Sequence, residues 1–328
     1  MRRPGAESGP GHWPVKQSGT KPGKAQHSSS LLKPRPHHTQ RRQRHHRRGP
    51  TATALLHVGT PCGIRHGMER GTTERDDGTE LAWERVPGAS PTVVFLPGFR
   101  SDMQGAKAVA VAAECARLGT ACLRLDYSGH GASGGAFVDG TVGQWMEDAA
   151  LLIATLVTGP VVLVGSSMGG WIALLLARRM PARITALVGV AAAPDFTERL
   201  MWDAMTPDER TRLRQAGVVY QPSGYGDPLP ITARLIEDGR RHLLLDAPIA
   251  VTVPVRLMQG QQDSDVPWET ALAIADRLRG GDVQVTLIKD GDHRLSRPAD
   301  LALLLGLLRP FLSQGCGQTL PVAGVTPA

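Results

Sequence analysis

The sequence predicts an α/β protein in which helices cover both faces of a mostly parallel sheet. Short apolar runs typical of buried strands alternate with segments of helical periodicity from residue 92 to residue 312. Turn residues punctuate these segments, as at Pro97-Gly98 after the first run and at Gly119 after the first helix. Strands that alternate with helices along a chain generally form parallel sheets that are buried on both sides.

The individual elements follow from the same patterns. Residues 92–96 form a β-rich run that ends at a turn, and the Ala-rich segment 107–118 has apolar positions at helical spacing. Further strands are predicted at 121–125, 161–164, 184–190, 254–259 and 283–288, and further helices at 142–157, 170–177, 268–279 and 299–312. In such sheets the loops at the carboxyl ends of the strands contain the functional residues.

One long segment, residues 194–250, interrupts this alternation. It is charged, and its part 220–228 is rich in Pro, Gly and Tyr. Helices are predicted near 206–215 and 232–241. We therefore expect a small helical cap inserted before the penultimate strand and lying over the functional loops.

The most informative motif is Gly165-Ser166-Ser167-Met168-Gly169, which directly follows a buried apolar run and opens a helix. Gly-x-Ser-x-Gly at a strand-to-helix junction is typical of a nucleophile elbow, a turn so tight that glycine is needed on either side of the serine. The alternative is a glycine-rich turn with an incidental serine. The strand and helix on either side favour Ser167 as a nucleophile.

A nucleophilic serine needs an imidazole base, which follows it in chain order when the serine lies on such an elbow. Downstream of Ser167 the sequence contains two histidines, His242 and His293. His293 lies in the loop between the last strand and the last helix, where the base is expected. His242 lies in a predicted cap helix and is interpreted as a surface or packing residue.

The carboxylate that orients the base is expected after the penultimate strand. That loop contains Asp263, which we prefer because it stands in a Gly-x-x-Asp register, and Asp265, which remains the alternative. Asp290 and Asp292 are close to His293 in sequence, but loop carboxylates beside a histidine are more often turn or capping residues.

An acyl-transfer site also needs two backbone N–H groups for the oxyanion. Met168 follows the nucleophile at a helix N-terminus, which favours negative charge. Phe99 follows the first well-defined predicted strand and supplies the second candidate donor. The alternative for Pro97-Gly98-Phe99 is a simple turn that ends a strand.

With these residues, the chain from about 91 to 310 resembles the α/β-hydrolases. Within them it is similar to the mitochondrial palmitoyl-protein thioesterases and acyl-glucuronide esterases of the abhydrolase domain-containing protein ten group and their bacterial relatives. The segments that support the resemblance are 95–99, 124–129, 164–171, 265–268 and 292–294. The resemblance implies an α/β-hydrolase fold, a triad of Ser167, Asp263 and His293, and hydrolysis of acyl esters or thioesters. Gln259-Gly260 departs from the His-Gly pair common in such relatives.

Two other functions remain open. A prolyl-type serine aminopeptidase would need an acidic or aromatic amine-binding site in the cap. A catalytically silent hydrolase fold could serve as a binding module, although such proteins typically lose one of the three catalytic residues. Dehalogenases and epoxide hydrolases would need Asp at position 167, where this chain has Ser.

Charge is distributed unevenly along the 328 residues, whose net charge is +7. Residues 1–50 contain 12 Lys and Arg and one acid, so the remainder is slightly acidic. We expect 1–67 to be a disordered basic tail, or an over-extended start, because it has too little apolar surface to fold. A hydrolase domain is expected at 68–318, followed by a flexible C-terminus at 319–328. The acidic domain argues against a specific nucleic-acid partner.

The four cysteines show no metal-type or redox-type spacing, which is typical of reduced thiols in a cytosol-like compartment; they are Cys62, Cys115, Cys122 and Cys316. We expect no metal, no cofactor and a small-molecule ester or acyl thioester as the partner. The apolar runs are shorter than the ~20 residues that a membrane span requires. The expected location is the cytoplasm, with the mitochondrial matrix as the alternative for a eukaryotic chain. The oligomeric state stays open.

Overall fold

A central eight-stranded sheet runs through the protein, whose computed structural model describes residues 67–223 and 226–312. The predicted tail, apart from Gly67, and the predicted C-terminus 319–328 lie outside these residues. The strands are β1 Glu69–Glu74, β2 Glu80–Val86, β3 Ala89–Leu96, β4 Thr120–Leu125, β5 Val161–Ser166, β6 Ile184–Val190, β7 Val218–Ser223, β8 Gly226–Thr232, β9 Val255–Gly260 and β10 Val283–Ile288. The α-helices are α1 Ala106–Leu118, α2 Val142–Leu156, α3 Met168–Arg179, α4 Pro207–Ala216, α5 Ala233–Arg240, α6 Glu269–Arg277 and α7 Pro298–Leu308.

The strand order of the sheet is β1-β2-β4-β3-β5-β6-β9-β10. Within this sheet β4, β3, β5, β6, β9 and β10 pair in parallel, whereas β1 and β2 add an antiparallel edge. This confirms the predicted α/β class and mostly parallel sheet. The antiparallel strands β1 and β2 were not predicted. β1 has only polar residues and one glycine, and its side chains are largely exposed, so it has no apolar pattern to detect.

Helices cover both faces of the sheet, as predicted. Along β3, Val93 and Phe95 pack in the cluster that contains α1 and α7, whereas Val94 and Leu96 pack in the cluster that contains α2 and α3. This alternation is the two-residue period of a strand. Every residue of α3 from Met168 to Ala177 is buried, which is typical of a helix that is apolar all round.

The carboxyl ends of the parallel strands meet at one edge of the sheet, and the pairing register decides which loops become neighbours. Leu96 of β3 pairs with Gly165 of β5, so the turn after β3 lies beside the residues that follow β5. Gly260 of β9 pairs with Ile288 of β10, which brings together the loops after these two strands.

The segment between β6 and β9 forms the predicted cap. It contains a π-helical turn at Thr197–Trp202, the helices α4 and α5, and the antiparallel pair β7 and β8. The two helices lie within a residue of their predicted positions. The strand pair was not predicted, because its prolines and glycines favoured a turn. The cap has a small core of its own that comprises Met205, Leu213, Val219, Ile231 and Ile236.

Candidate active site

Ser167 occupies the tight turn between β5 and α3. Its backbone is in the left-handed half of conformational space, with φ 53° and ψ −119°, which is rare for a residue with a side chain. Its N–H donates to Val190 O over 2.9 Å, which ties the turn to β6. A Cβ at Gly165 would collide with the backbone of Gly169, and one at Gly169 with the backbone of Leu96. Only glycine therefore lets α3 approach the strands this closely, and the hydroxyl of Ser167 is held above the sheet edge.

His293 lies in the loop after β10, and its Nε2 is 3.1 Å from Ser167 Oγ. Its Nδ1 is 2.8 Å from Asp263 Oδ2. The loop is held by a hydrogen bond of 2.9 Å from Leu295 N–H to Asp292 Oδ1. Asp292 thus shapes the turn, while Asp290 pairs with Arg297 on the surface.

Asp263 is the carboxylate that contacts His293, and its side chain is fully buried. Its Oδ1 accepts the N–H groups of Asp265 and Val266 over 2.9 Å and 2.8 Å. Burial opposes ionisation of this group, but the hydrogen bonds from His293 and the two amides outweigh it and lower the pKa of Asp263. Asp265, the alternative acid, is exposed and contributes its backbone N–H to Asp263.

The two candidate oxyanion donors lie on either side of Ser167. Met168 is the first residue of α3, so its N–H has no acceptor one turn earlier within the helix. A Cβ placed on Gly98 would be 3.3 Å from Ser167 Cβ, which sets the turn before Phe99 directly against the serine. The Phe99 ring packs against Phe137 and Phe196, with centroids 4.9 Å and 5.5 Å away.

His242 lies apart from this group of contacts, at the end of α5. Its Nε2 is 3.7 Å from Asp238 Oδ1, and its carbonyl accepts the indole N–H of Trp171 over 3.1 Å. These contacts join the cap to α3, in keeping with the packing role predicted for it.

Sequence reasoning missed two polar residues near the site. The buried His130 accepts the N–H of Arg100, directly after Phe99, over 3.3 Å. The buried Gln259 donates from Nε2 to Asp263 Oδ2 over 2.8 Å. The Gly129-His130-Gly131 pattern after β4 is a signal that could have drawn attention to the first. Gln259 stood out as a departure from the family pattern, but its contact with Asp263 depends on the fold of the loop.

Within residues 67–223 and 226–312, no group of three or more His, Cys, Asp or Glu side chains is arranged to hold a metal ion. In the same part of the chain, no helix combines the length and the apolar character that crossing a bilayer demands. Cys115 and Cys122 are buried free thiols, and the hydrogen bond between them, together with burial, raises the pKa of Cys115. Cys62 and Cys316 lie outside the described residues.

Comparison with known proteins identifies the family. Residues 88–221 match the model of the serine aminopeptidase S33 family. The human protein named palmitoyl-protein thioesterase ABHD10, mitochondrial, is 40% identical over 233 residues, which cover 70% of this chain and 76% of the human one.

Two solved structures extend the likeness to the fold. A putative hydrolase from Agrobacterium vitis S4 has a TM-score of 0.72 and 38% identity, covering 75% of this chain and all of its own. Mouse α/β-hydrolase domain-containing protein 10 has a TM-score of 0.69 and 38% identity, covering 74% of this chain and 97% of its own. The identity and coverage, together with the sheet and its cap, establish that the chain is a hydrolase-type enzyme belonging to the ABHD10 family of α/β-hydrolases.

Proposed function

We propose that the protein is a serine hydrolase that cleaves carboxylic ester or acyl-thioester bonds through an acyl-enzyme on Ser167. The hydrogen-bond chain from Asp263 through His293 to Ser167 supports this most directly, with distances of 2.8 Å and 3.1 Å. A serine hydroxyl is a poor nucleophile at neutral pH, and this arrangement supplies both the base and the group that orients it.

In the first half-reaction His293 Nε2 takes the hydroxyl proton while Ser167 Oγ attacks the acyl carbonyl carbon. Asp263 accepts the Nδ1–H, which selects the ring tautomer and stabilises the imidazolium. The N–H groups of Met168 and Phe99 stabilise the negative oxygen of the tetrahedral intermediate. His293 then returns the proton to the departing alcohol or thiol.

In the second half-reaction a water molecule replaces the leaving group. His293 removes a proton from this water, which attacks the acyl-enzyme and releases the carboxylic acid. Ser167 Oγ leaves with the proton that His293 returns, and the site is restored. The protein needs no other co-reactant for this cycle.

Two observations favour an acyl chain as the substrate. The rings of Phe99 and Phe137 contact each other and are only partly buried, and accessible apolar surface of this kind binds apolar substrate groups. The buried rings of Trp145 and Phe196 pack against Phe99. The relatives are named palmitoyl-protein thioesterases, so acyl thioesters are the first substrates to test. Their names also favour the mitochondrial location over the cytoplasm.

A fluorophosphonate probe tests the proposal, because it labels only an activated serine. Ser167→Ala should abolish labelling and reduce ester turnover by at least ~10³-fold with the fold intact. Ser166→Ala, the same change one residue earlier, is the matched control and should retain labelling. Labelling that persists in Ser167→Ala would disprove the assignment, and an unlabelled, inactive wild-type protein would indicate a silent binding module.

The family model's description, serine aminopeptidase, supports a second candidate function on amide substrates. A prolyl-type aminopeptidase needs an acidic or aromatic site in the cap for the substrate amine. Within the cap, Asp195 accepts two backbone N–H groups and pairs with Arg199, and Asp238 is engaged by Gly143 and Arg241. Aminoacyl p-nitroanilides, including the prolyl compound, distinguish the two functions: turnover that exceeds ester turnover would favour the peptidase.

A further inference from the structure

Gln259 lies near the end of β9, and its side-chain amide is buried. The NH2 group of this amide has hydrogen-bond partners, whereas the oxygen has none among the described residues. Its Nε2 donates to Asp263 Oδ2 over 2.8 Å and to Val266 O over 3.3 Å. Its Oε1 is buried and has no hydrogen-bond partner among the described residues. The opposite orientation of the amide would set Oε1 against two acceptor oxygens, so the contact with Asp263 fixes the assignment.

A buried polar atom without a partner destabilises a protein, whereas an apolar side chain of similar shape avoids that cost. Packing alone would therefore favour Met or Leu at position 259. The presence of glutamine here instead indicates that the N–H donated to Asp263 matters more than the unsatisfied oxygen.

The donor set around Asp263 shows what this N–H adds. Oδ1 receives two backbone N–H groups, from Asp265 and Val266. Oδ2 receives His293 Nδ1–H and Gln259 Nε2–H, both over 2.8 Å. Without Gln259, His293 would be the only donor to Oδ2, and only the two amides on Oδ1 would resist rotation of the carboxylate about its last bond. The side-chain amide of Gln259 is uncharged at all pH values, so it donates to Asp263 whatever the pH.

We propose that Gln259 is a positioning residue that fixes Oδ2 of Asp263 in line with His293 Nδ1. The proposal rests on the proposed function, in which Asp263 orients His293 and stabilises the imidazolium. Because the imidazolium forms only as the reaction proceeds, losing Gln259 should lower kcat and leave KM nearly unchanged.

Gln259→Met tests this directly. It keeps the length of the side chain and removes the donor, so kcat for a p-nitrophenyl ester should fall by about 10- to 100-fold, the range for a hydrogen bond to a charged group. The melting temperature should stay equal or rise, because the unsatisfied oxygen is removed as well. Gln262→Met makes the same change at an exposed glutamine of the same loop and should retain wild-type kcat.

Two further variants separate positioning from a structural role. Gln259→His keeps a ring N–H donor and should recover most of the kcat that Gln259→Met loses. Gln259→Glu sets a carboxylate against Asp263 at neutral pH. Protonation converts it to a donor, so the activity of this variant relative to wild type should rise as the pH falls.

Combining Gln259→Met with Asp263→Asn completes the test. Members of one catalytic unit fail together, so the double variant should be no slower than Asp263→Asn alone.

Wild-type kcat in Gln259→Met, or failure of this variant to fold, would overturn the proposal and assign Gln259 to packing. Fluorophosphonate labelling of wild-type Ser167 keeps the two questions apart: its absence would refute the proposed function, whereas labelling with unaffected kcat in Gln259→Met would refute only the role of Gln259.

Discussion

The buried ring of His130 couples the stability of the fold to pH. Its Nε2 accepts the N–H of Arg100 over 3.3 Å, so its proton is on Nδ1, 3.2 Å from Ser128 O. Burial lowers the pKa of His130 to about 4. A protonated ring could no longer accept from Arg100, and the turn that contains Phe99 would lose this hydrogen bond.

The size of the effect follows from the two pKa values. An unfolded histidine titrates at the ordinary value of 6.5, and the folded ring at about 4. The stabilisation is complete above the unfolded value and is lost as the pH falls towards the folded one, because the unfolded chain binds the proton first. Between about pH 7 and about pH 5, His130 alone should reduce the free energy of unfolding by about 2 kcal/mol.

Urea unfolding of wild type and His130→Gln at these two pH values measures the loss. The variant keeps an amide oxygen that can accept from Arg100 but does not titrate. The buried Trp145 and Trp171 provide the fluorescence signal. Wild type should lose about 2 kcal/mol more than the variant on acidification. An equal loss in both proteins would refute the role of the ring, since other groups would then account for the acid sensitivity.

Three more predictions concern turnover. Asp263→Asn should reduce kcat by about 10⁴-fold in ester assays, because the amide favours the wrong tautomer of the His293 ring. A larger loss in Asp265→Asn would identify Asp265 as the carboxylate that orients His293. His293→Ala should impair ester hydrolysis as severely as loss of the serine, whereas His242→Ala should retain most activity; similar losses in both would contradict the choice of base. Across acyl thioesters of two to sixteen carbons, kcat/KM should rise by up to about fourfold per methylene buried; a flat or falling series would indicate a small-ester substrate.

The apolar residues of the cap bear on this last series. Leu235 is buried in the main core and Ile236 in the core of the cap. Trp202 is covered by the guanidinium groups of three arginines at 4.6–5.6 Å from its ring. These side chains therefore hold the cap together. Leu200 and Met201 pack against the main core but are only partly buried, so they are the cap residues to substitute in a test of acyl binding.

Local sequence patterns predicted the strands of the sheet that are buried on both faces. The strand at 184–190 agrees with the structure residue for residue, because its long apolar run leaves few alternatives. The strand at 283–288 also agrees residue for residue, although it is an edge strand whose residues are at most partly buried. Prediction failed for β1, whose polar residues are placed by pairing with β2, and for β7 and β8, whose prolines are tolerated in an isolated two-stranded pair.

The candidate site shows a similar limit. Ser167 and His293 could be selected from motif and chain order, since each occupies a characteristic loop. Preferring Asp263 over Asp265 depended on the register of a loop, and a shift of two residues would have selected Asp265 instead. The contact of Gln259 with Asp263 was beyond prediction, because it depends on a side chain at the end of β9 meeting a loop residue in space. Pairwise side-chain contacts of this kind leave no periodic trace in a sequence.

The backbone of Ser167, the proposed nucleophile, is a source of instability. Holding a residue with a side chain at φ 53° and ψ −119° costs about 1–3 kcal/mol, and glycine is free of most of this strain. Ser167→Gly should therefore melt at a higher temperature than wild type, whereas Ser167→Ala keeps the strain and should melt near it. Selection for thermal robustness alone would remove this serine. Its presence in a well-packed turn agrees with the proposed catalytic role, for which stability is commonly given up. If that role is correct, glycine at position 167 would give an inactive but more stable protein for trapping substrate.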